Sequence, residues 1–98
     1  MTMTWEEKLM ALKALSGEAT LRIREPGNWY CSLPRVSIKE GSFLTSPTSS
    51  SATPQDAVED MWRRCVTELP DNQCIVIGAY IGQRQEVRWN GFMWAAFS

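Results

Sequence analysis

The strongest constraint on the fold is an amphipathic segment in the second half of the chain. Thr53-Pro54-Gln55-Asp56 has the features of a helix start: Thr as N-cap, Pro at the first helical position, and an acidic residue where the helix dipole favours it. Six apolar residues follow at helical spacing and share one face, namely Val58, Met61, Trp62, Cys65, Val66 and Leu69. The pattern predicts a helix over Pro54–Leu69, ended by Pro70, whose apolar face covers a sheet.

A second helix is predicted near the start of the chain. Thr4-Trp5-Glu6-Glu7 has the form of a capping box, in which the Thr hydroxyl and the Glu carboxylate each accept a free backbone N–H. The apolar stripe that follows consists of Trp5, Leu9, Leu12 and Leu15. Gly17 is placed to end the helix in a left-handed conformation, so the helix should cover residues 5–16.

Strand patterns fill the region between the two helices. Leu21 and Ile23 alternate with arginines, and Pro26-Gly27 fits the centre of a type II turn, which predicts a hairpin into the strand that carries Trp29. A third strand should begin at Val36 and continue through Phe43-Leu44, past a bend at Gly41.

Residues 45–53 hold seven Ser and Thr side chains and little that could be buried. This composition predicts a flexible surface loop, either a connector or a segment that orders on a partner.

The last quarter of the chain predicts further strands. The apolar, β-branched run Cys74–Ile81 is typical of a strand buried on both faces in a sheet interior, and a turn should follow at Gly82–Gln85. Asn90-Gly91 predicts a two-residue hairpin turn between a strand that ends at Trp89 and a return strand that begins at Phe92.

Together these elements predict one α+β domain over residues 1–98. We expect an antiparallel sheet of about five to six strands with two helices packed on it, in the order α-β-β-β-α-β-β-β. A hydrophobic share of 44% and a charged share of 21% are ordinary for a folded domain of this length.

The residue inventory argues against several functional classes. The chain contains no histidine, so the commonest general base is missing, and no nucleotide-binding or nucleophile-elbow motif is present. Cys31, Cys65 and Cys74 form no C-x-x-C pair and are expected to be reduced, buried thiols. We therefore expect a non-enzymatic protein without a metal or cofactor.

Charge and hydropathy bear on location and partners. The formal net charge is −1. A typical nucleic-acid binder is strongly basic and a DNA mimic is strongly acidic, and this chain is neither. The longest apolar stretch is shorter than the roughly 20 residues that cross a bilayer, and the charged start at Trp5-Glu6-Glu7-Lys8 does not resemble a signal peptide. A cytoplasmic protein without a membrane partner is expected.

Six arginines are candidate partner-binding residues because the guanidinium group bonds bidentately and stacks. They are Arg22, Arg24, Arg63, Arg64, Arg84 and Arg88. They could form one or two patches, or they could be separate solvated side chains balanced by Glu25, Glu59 and Glu86.

The tryptophans pose a similar question. Trp5, Trp29 and Trp62 lie on stripes assigned to the core. Trp89 and Trp94 flank the last turn and are either core residues or anchors of an interface, where aromatic residues are enriched.

Several motifs resemble small accessory proteins of tailed bacteriophages. They are Asn28-Trp29-Tyr30, Ile38-Lys39-Glu40-Gly41-Ser42, Thr53-Pro54-Gln55-Asp56-Ala57-Val58, Trp62, and Val87-Arg88-Trp89-Asn90-Gly91-Phe92-Met93-Trp94. The resemblance implies an inhibitor or adaptor, because several such proteins bind and disable a host enzyme or defence complex.

Two further resemblances concern the fold. The order helix, three strands, helix resembles a double-stranded-RNA-binding domain, although Thr53-Pro54-Gln55-Asp56 replaces the lysine cluster of that family. The strand-strand-strand-helix core also resembles HicB-type antitoxins, without their DNA-binding extension.

These observations favour a protein-interaction module, a phage-encoded modulator of a host protein or defence complex, whose partner is a host or phage protein. The alternative is a domain that binds structured RNA or other nucleic acid through the six arginines. An unpaired edge in so small a sheet also fits a homodimer.

Overall fold

A computed structural model describes residues 2–78 and 84–97 of the chain. The helices are α1 (Trp5–Ser16) and α2 (Pro54–Trp62), and a π-helical turn (Arg63–Thr67) continues α2. The strands are β1 (Thr20–Glu25), β2 (Asn28–Ser32), β3 (Val36–Glu40), β4 (Phe43–Thr45), β5 (Thr48–Ser51), β6 (Cys74–Ile77), β7 (Gln85–Trp89) and β8 (Trp94–Ala96).

The strands form two antiparallel sheets where one was expected. The small sheet has the order β1-β2-β5, and the large sheet has the order β4-β3-β6-β7-β8. The α+β class is therefore confirmed, but the chain leaves the small sheet after β2, builds β3 and β4 in the large sheet, and returns as β5. Both sheets and both helices contribute to one core, which includes Leu12, Cys31, Val58 and Ile75.

The first helix has the predicted bounds and caps. The Thr4 hydroxyl accepts the Glu7 N–H at 3.2 Å, and the Glu7 carboxylate accepts the Thr4 N–H at 2.9 Å. Gly17 ends the helix with φ of +75° and donates its N–H to the Lys13 carbonyl. The left-handed conformation turns the chain away from the helix after this bond, and glycine adopts it freely.

The second helix begins as predicted but changes its winding after Trp62. In the π-helical turn the Glu68 N–H donates to the Arg63 carbonyl at 2.7 Å, five residues back. The predicted α-helix to Leu69 is wrong in these last turns. Cys65 and Leu69 nevertheless remain buried, so the apolar face keeps its contact with the core.

The segment 45–53 contains a strand in place of the predicted loop. All four residues of Thr48–Ser51 pair with β2, from Trp29 opposite Ser51 to Ser32 opposite Thr48. Ser49 is buried, and its hydroxyl donates to the Ala57 carbonyl of α2 at 2.6 Å. Composition alone missed this strand because a serine is small enough to lie beneath a helix and its hydroxyl finds a partner there.

Two turns also differ from expectation. The chain reverses at Gly41-Ser42, so that β4 pairs back on β3 as a hairpin and does not extend it past a bend. At the C-terminal hairpin Trp89 pairs with Trp94, so Asn90–Met93 form a four-residue connection and the return strand begins at Trp94. The Asn90 side-chain oxygen accepts the N–H groups of Phe92 and Met93 and takes the place of a tighter backbone turn.

The interior position of β6 is confirmed. It lies between β3 and β7, and Cys74, Ile75 and Val76 are all buried, which requires cover on both faces. The strand ends at Ile77, and Gly78 has φ of +72°, so the predicted run does not continue through Gly78. Its remainder to residue 81 and the start of the following turn lie outside the described residues.

Within the described part of the chain, no helix has the length and apolarity that crossing a membrane requires.

Replacing Ser49 with Ala should lower the free energy of unfolding by about 1 kcal/mol, because the Ala57 carbonyl loses a buried donor. Replacing the exposed neighbour Ser50 with Ala should change it by less than about 0.5 kcal/mol. Urea unfolding followed by tryptophan fluorescence measures both variants. Equal effects would contradict the pairing of β5 beneath α2.

Candidate functional site

The six candidate arginines occupy different settings in the fold. Arg88 is part of the internal structure: its guanidinium donates to the carbonyls of Pro70 at 2.7 Å, Leu69 at 3.2 Å, and Gln73. It also lies over the Phe97 ring, 5.7 Å from the centroid. The Arg88 guanidinium is hydrogen-bonded to carbonyl groups that follow the second helix, and its charge stabilises those groups.

Arg63 and Arg64 are paired with acidic neighbours. Arg63 contacts Asp60 and lies 3.4 Å from Glu68, whereas Arg64 lies 3.2 Å from Asp60 and donates to the Thr48 carbonyl at 3.0 Å. Their charges are therefore largely balanced at the surface.

Arg22 and Arg24 project from β1, an outer strand of the small sheet, and both are exposed. Arg24 stacks over Tyr30, 4.8 Å from the ring centroid. Arg64 contacts β5 at the opposite edge of that sheet, and Arg84 is exposed beside β7 of the large sheet. The six arginines thus lie on three different parts of the fold: β1, the π-helical turn, and β7 with the residue before it.

Trp89 and Trp94 come together with Trp62 in an aromatic cluster. The ring centroids are 5.1 Å apart for Trp62 and Trp89, 5.2 Å for Trp89 and Trp94, and 6.2 Å for Trp62 and Trp94, all with edge-to-face geometry. Such pairs contribute beyond the area they bury. Trp62 is buried, whereas Trp89 and Trp94 are half-buried, so each of the latter two has one side in the core and one side accessible.

The terminal hairpin is also bonded to the first helix. The Trp94 indole N–H donates to the Ala11 carbonyl at 2.9 Å, a contact between residues at opposite ends of the chain. The hydrogen bond and the aromatic cluster fix the hairpin relative to α1.

An apolar cleft of about 750 Å³ lies between α1 and the terminal hairpin. It is lined by Met3, Glu6, Glu7, Met10, Ala11, Ala14, Trp89, Phe92, Met93 and Trp94. A second depression of about 550 Å³ shares four of these residues and extends the cleft toward Thr2 and Gly91.

The apolar side chains around this cleft are unusually exposed. Phe92 is 89% exposed, Met10 64% and Met93 61%. Large apolar residues grouped around a concave surface mark binding sites more often than isolated exposed ones do.

One rim of the cleft is acidic. Glu7 has its pKa lowered, because its carboxylate accepts the backbone and hydroxyl hydrogen bonds of the Thr4 cap. Glu6 is exposed, and within residues 2–78 and 84–97 no ion pair involves it. Among the lining residues that the structure describes, none carries a positively charged side chain.

Sequence reasoning found Trp89 and Trp94 but missed Met3, Met10, Phe92 and Met93. Met10 and Ala14 lie off the buried stripe of α1, and this second apolar stripe was an available signal. The sequence pattern places Phe92 and Met93 in the return strand of the hairpin. They are exposed because the turn has four residues where two are predicted.

The three cysteines are buried in the fold. All three cysteines are free and buried, and burial raises the pKa of Cys31 to about 11 and that of Cys65 to about 12. Thiols with raised pKa are poor nucleophiles at neutral pH. In the described ranges no group of three or more acidic or cysteine side chains is arranged to hold a metal ion.

Comparison of the chain with protein-family models, with curated proteins and with solved structures yields no match.

Replacing Arg88 with Met should lower the free energy of unfolding by about 2 kcal/mol, since three carbonyls lose a charged donor. The same change at the exposed Arg22 should cost less than about 0.5 kcal/mol. Chemical denaturation compares the two variants, and a larger loss at Arg22 would contradict the assigned role of Arg88.

The free energy of unfolding should fall as the pH rises above about 9. Unfolded thiols ionise near pH 9, whereas Cys31 and Cys65 keep their protons to about 11 and 12, so alkali favours the unfolded chain. Urea titrations at several pH values measure this slope. The double variant Cys31→Ala, Cys65→Ala should show a flatter dependence, and an unchanged slope would contradict the assignment.

Proposed function

We propose that the protein is a non-enzymatic protein-interaction module whose contact surface is the cleft between α1 and the terminal hairpin. The observation that carries the proposal is the grouping of Phe92, Met10 and Met93, all more than half exposed, around a cleft with Trp89 and Trp94 in its wall. Apolar anchors of a partner protein would displace water from this surface.

The cleft combines a fixed frame with adaptable contacts. The three-tryptophan cluster and the Trp94–Ala11 hydrogen bond hold the walls in place before a partner arrives, which lowers the entropic cost of binding. Met3, Met10 and Met93 supply unbranched, polarizable side chains that adjust to the shape of a ligand.

The resemblance to accessory proteins of tailed bacteriophages extends the proposal to biological role. A small chain without histidine acts more readily by occupying a surface than by catalysis. We therefore propose a phage-encoded modulator of a host protein or defence complex, acting in the host cytoplasm.

Binding of nucleic acid is the weaker candidate. Phosphate recognition needs a positively charged surface, but Arg63, Arg64 and Arg88 are engaged with carboxylates or carbonyls. The start of α2 carries Asp56 and no lysine. Affinity for RNA or DNA that decreases steeply with salt would favour this candidate over the apolar cleft.

Affinity capture from host cells tests the cleft with matched variants. The double variant Met10→Ser, Phe92→Ser should reduce the captured partner at least about tenfold, the size expected for removing apolar anchors. Phe43 is 75% exposed on β4, away from the cleft, and Phe43→Ser should leave capture unchanged.

Both variants alter exposed positions and should unfold at the wild-type temperature. A partner that is retained by the cleft variant but lost from Phe43→Ser would place the contact surface on β4 and refute the proposal.

A further inference from the structure

We infer that the partner segment which occupies the cleft is a cationic amphipathic helix. This inference rests on the proposed function and adds the secondary structure and the charge of the occupant. Three features of the cleft support the inference. They are the length of the cleft along α1, the hydrogen-bonded backbone of the α1 wall, and the acidic rim.

The cleft follows α1 over more than two turns. From Glu6 to Ala14 the lining residues span about 12 Å at 1.5 Å per residue, and Met3 extends the wall further. A surface of this length accommodates successive anchors rather than a single side chain. On a partner helix, apolar residues at positions i, i+3 or i+4, and i+7 would lie along it.

The α1 wall offers side chains for recognition and not backbone groups. The amides of Glu7 and Lys8 bond to Thr4 at the cap, and beyond this first turn the amides of α1 are bonded within the helix. The Ala11 carbonyl that faces the hairpin accepts the Trp94 indole as well. Addition of an extended strand requires unpaired N–H and C=O groups along the groove. The helix wall offers no unpaired N–H beyond its first turn, and the edge strand of the hairpin wall, β8, is only three residues long. The small side chains of Ala11 and Ala14 instead permit the close approach of a helix.

The negative charge at the rim of the cleft favours a partner segment with a positively charged side chain. Glu6 and Glu7 lie at one end of the cleft, and no lysine or arginine is present among its lining residues in the ranges 2–78 and 84–97. Glu7 is already bonded to the Thr4 cap, so Glu6 is the carboxylate that is available to a partner. A Lys or Arg at one end of the partner helix would pair with Glu6, while the apolar residues fill the cleft.

Two designed peptides of about 15 residues, the length at which isolated helices become stable, provide the probe. Both carry leucines at helical spacing, and they differ only in having lysines or glutamates beside the first leucine. Fluorescence anisotropy of the labelled peptides measures their affinity for the full chain.

The lysine peptide should bind wild type more tightly than the glutamate peptide, and Glu6→Gln should weaken it about threefold to fivefold, the size of one exposed ion pair. Glu6→Lys should reverse the preference between the two peptides. The matched control Glu25→Gln alters an exposed carboxylate at the β1–β2 turn and should have no effect.

Each remaining outcome has a definite meaning. Equal binding of both peptides that is lost in Phe92→Ser would overturn the cationic inference and leave apolar docking intact. Binding of neither peptide, while capture of a partner still requires Phe92, would overturn the helical inference alone.

Binding of neither peptide and capture that does not depend on Phe92 would remove the proposed function as well. Light scattering tests whether a second copy of the chain occupies the cleft. A concentration-dependent dimer that is abolished by Phe92→Ser would assign the cleft to that second copy and overturn the inference.

Discussion

The structure depends on the burial of one face of the second helix. Val58, Met61 and Cys65 are fully buried, and Trp62 is nearly so. The second helix packs against β2 and β5 of the small sheet and against α1, and its Trp62 ring contacts Trp89 and Trp94 of the large sheet. Burial of side chains of this size contributes about 1.5–3 kcal/mol each, the largest favourable term in a domain of this length. Through Trp62 this helix joins the small sheet to the large sheet in one core.

The candidate site is a consequence of the same packing. Trp62 extends the buried face of α2 to Trp89 and Trp94, and the Trp94 indole in turn bonds to α1. The hairpin is thereby held beside the first helix, with Phe92 and Met93 at its exposed tip. A part-buried ion pair between Lys8 and Glu59 at 2.7 Å also joins the two helices.

Local patterns predicted the elements whose stability is local. The caps at Thr4, Gly17 and Thr53 were readable because each satisfies helix-end groups within a few residues. The central strand β6 was readable because burial on both faces requires an uninterrupted apolar run. The strand at Thr48–Ser51 could not be predicted from the sequence, because it forms only by pairing with β2. The exposed turn at Phe92 could not be predicted either, because the Asn90 side chain determines its length.

By itself the sequence determined the α+β class, the two amphipathic helices and most strand positions, because hydrophobic periodicity and capping act over a few residues. Tertiary structure decided the division into two sheets, the use of Arg88 as an internal donor, and the cleft. These features join residues far apart along the chain, such as Ala11 and Trp94. Their contacts follow from the three-dimensional packing of the core, which no local pattern specifies.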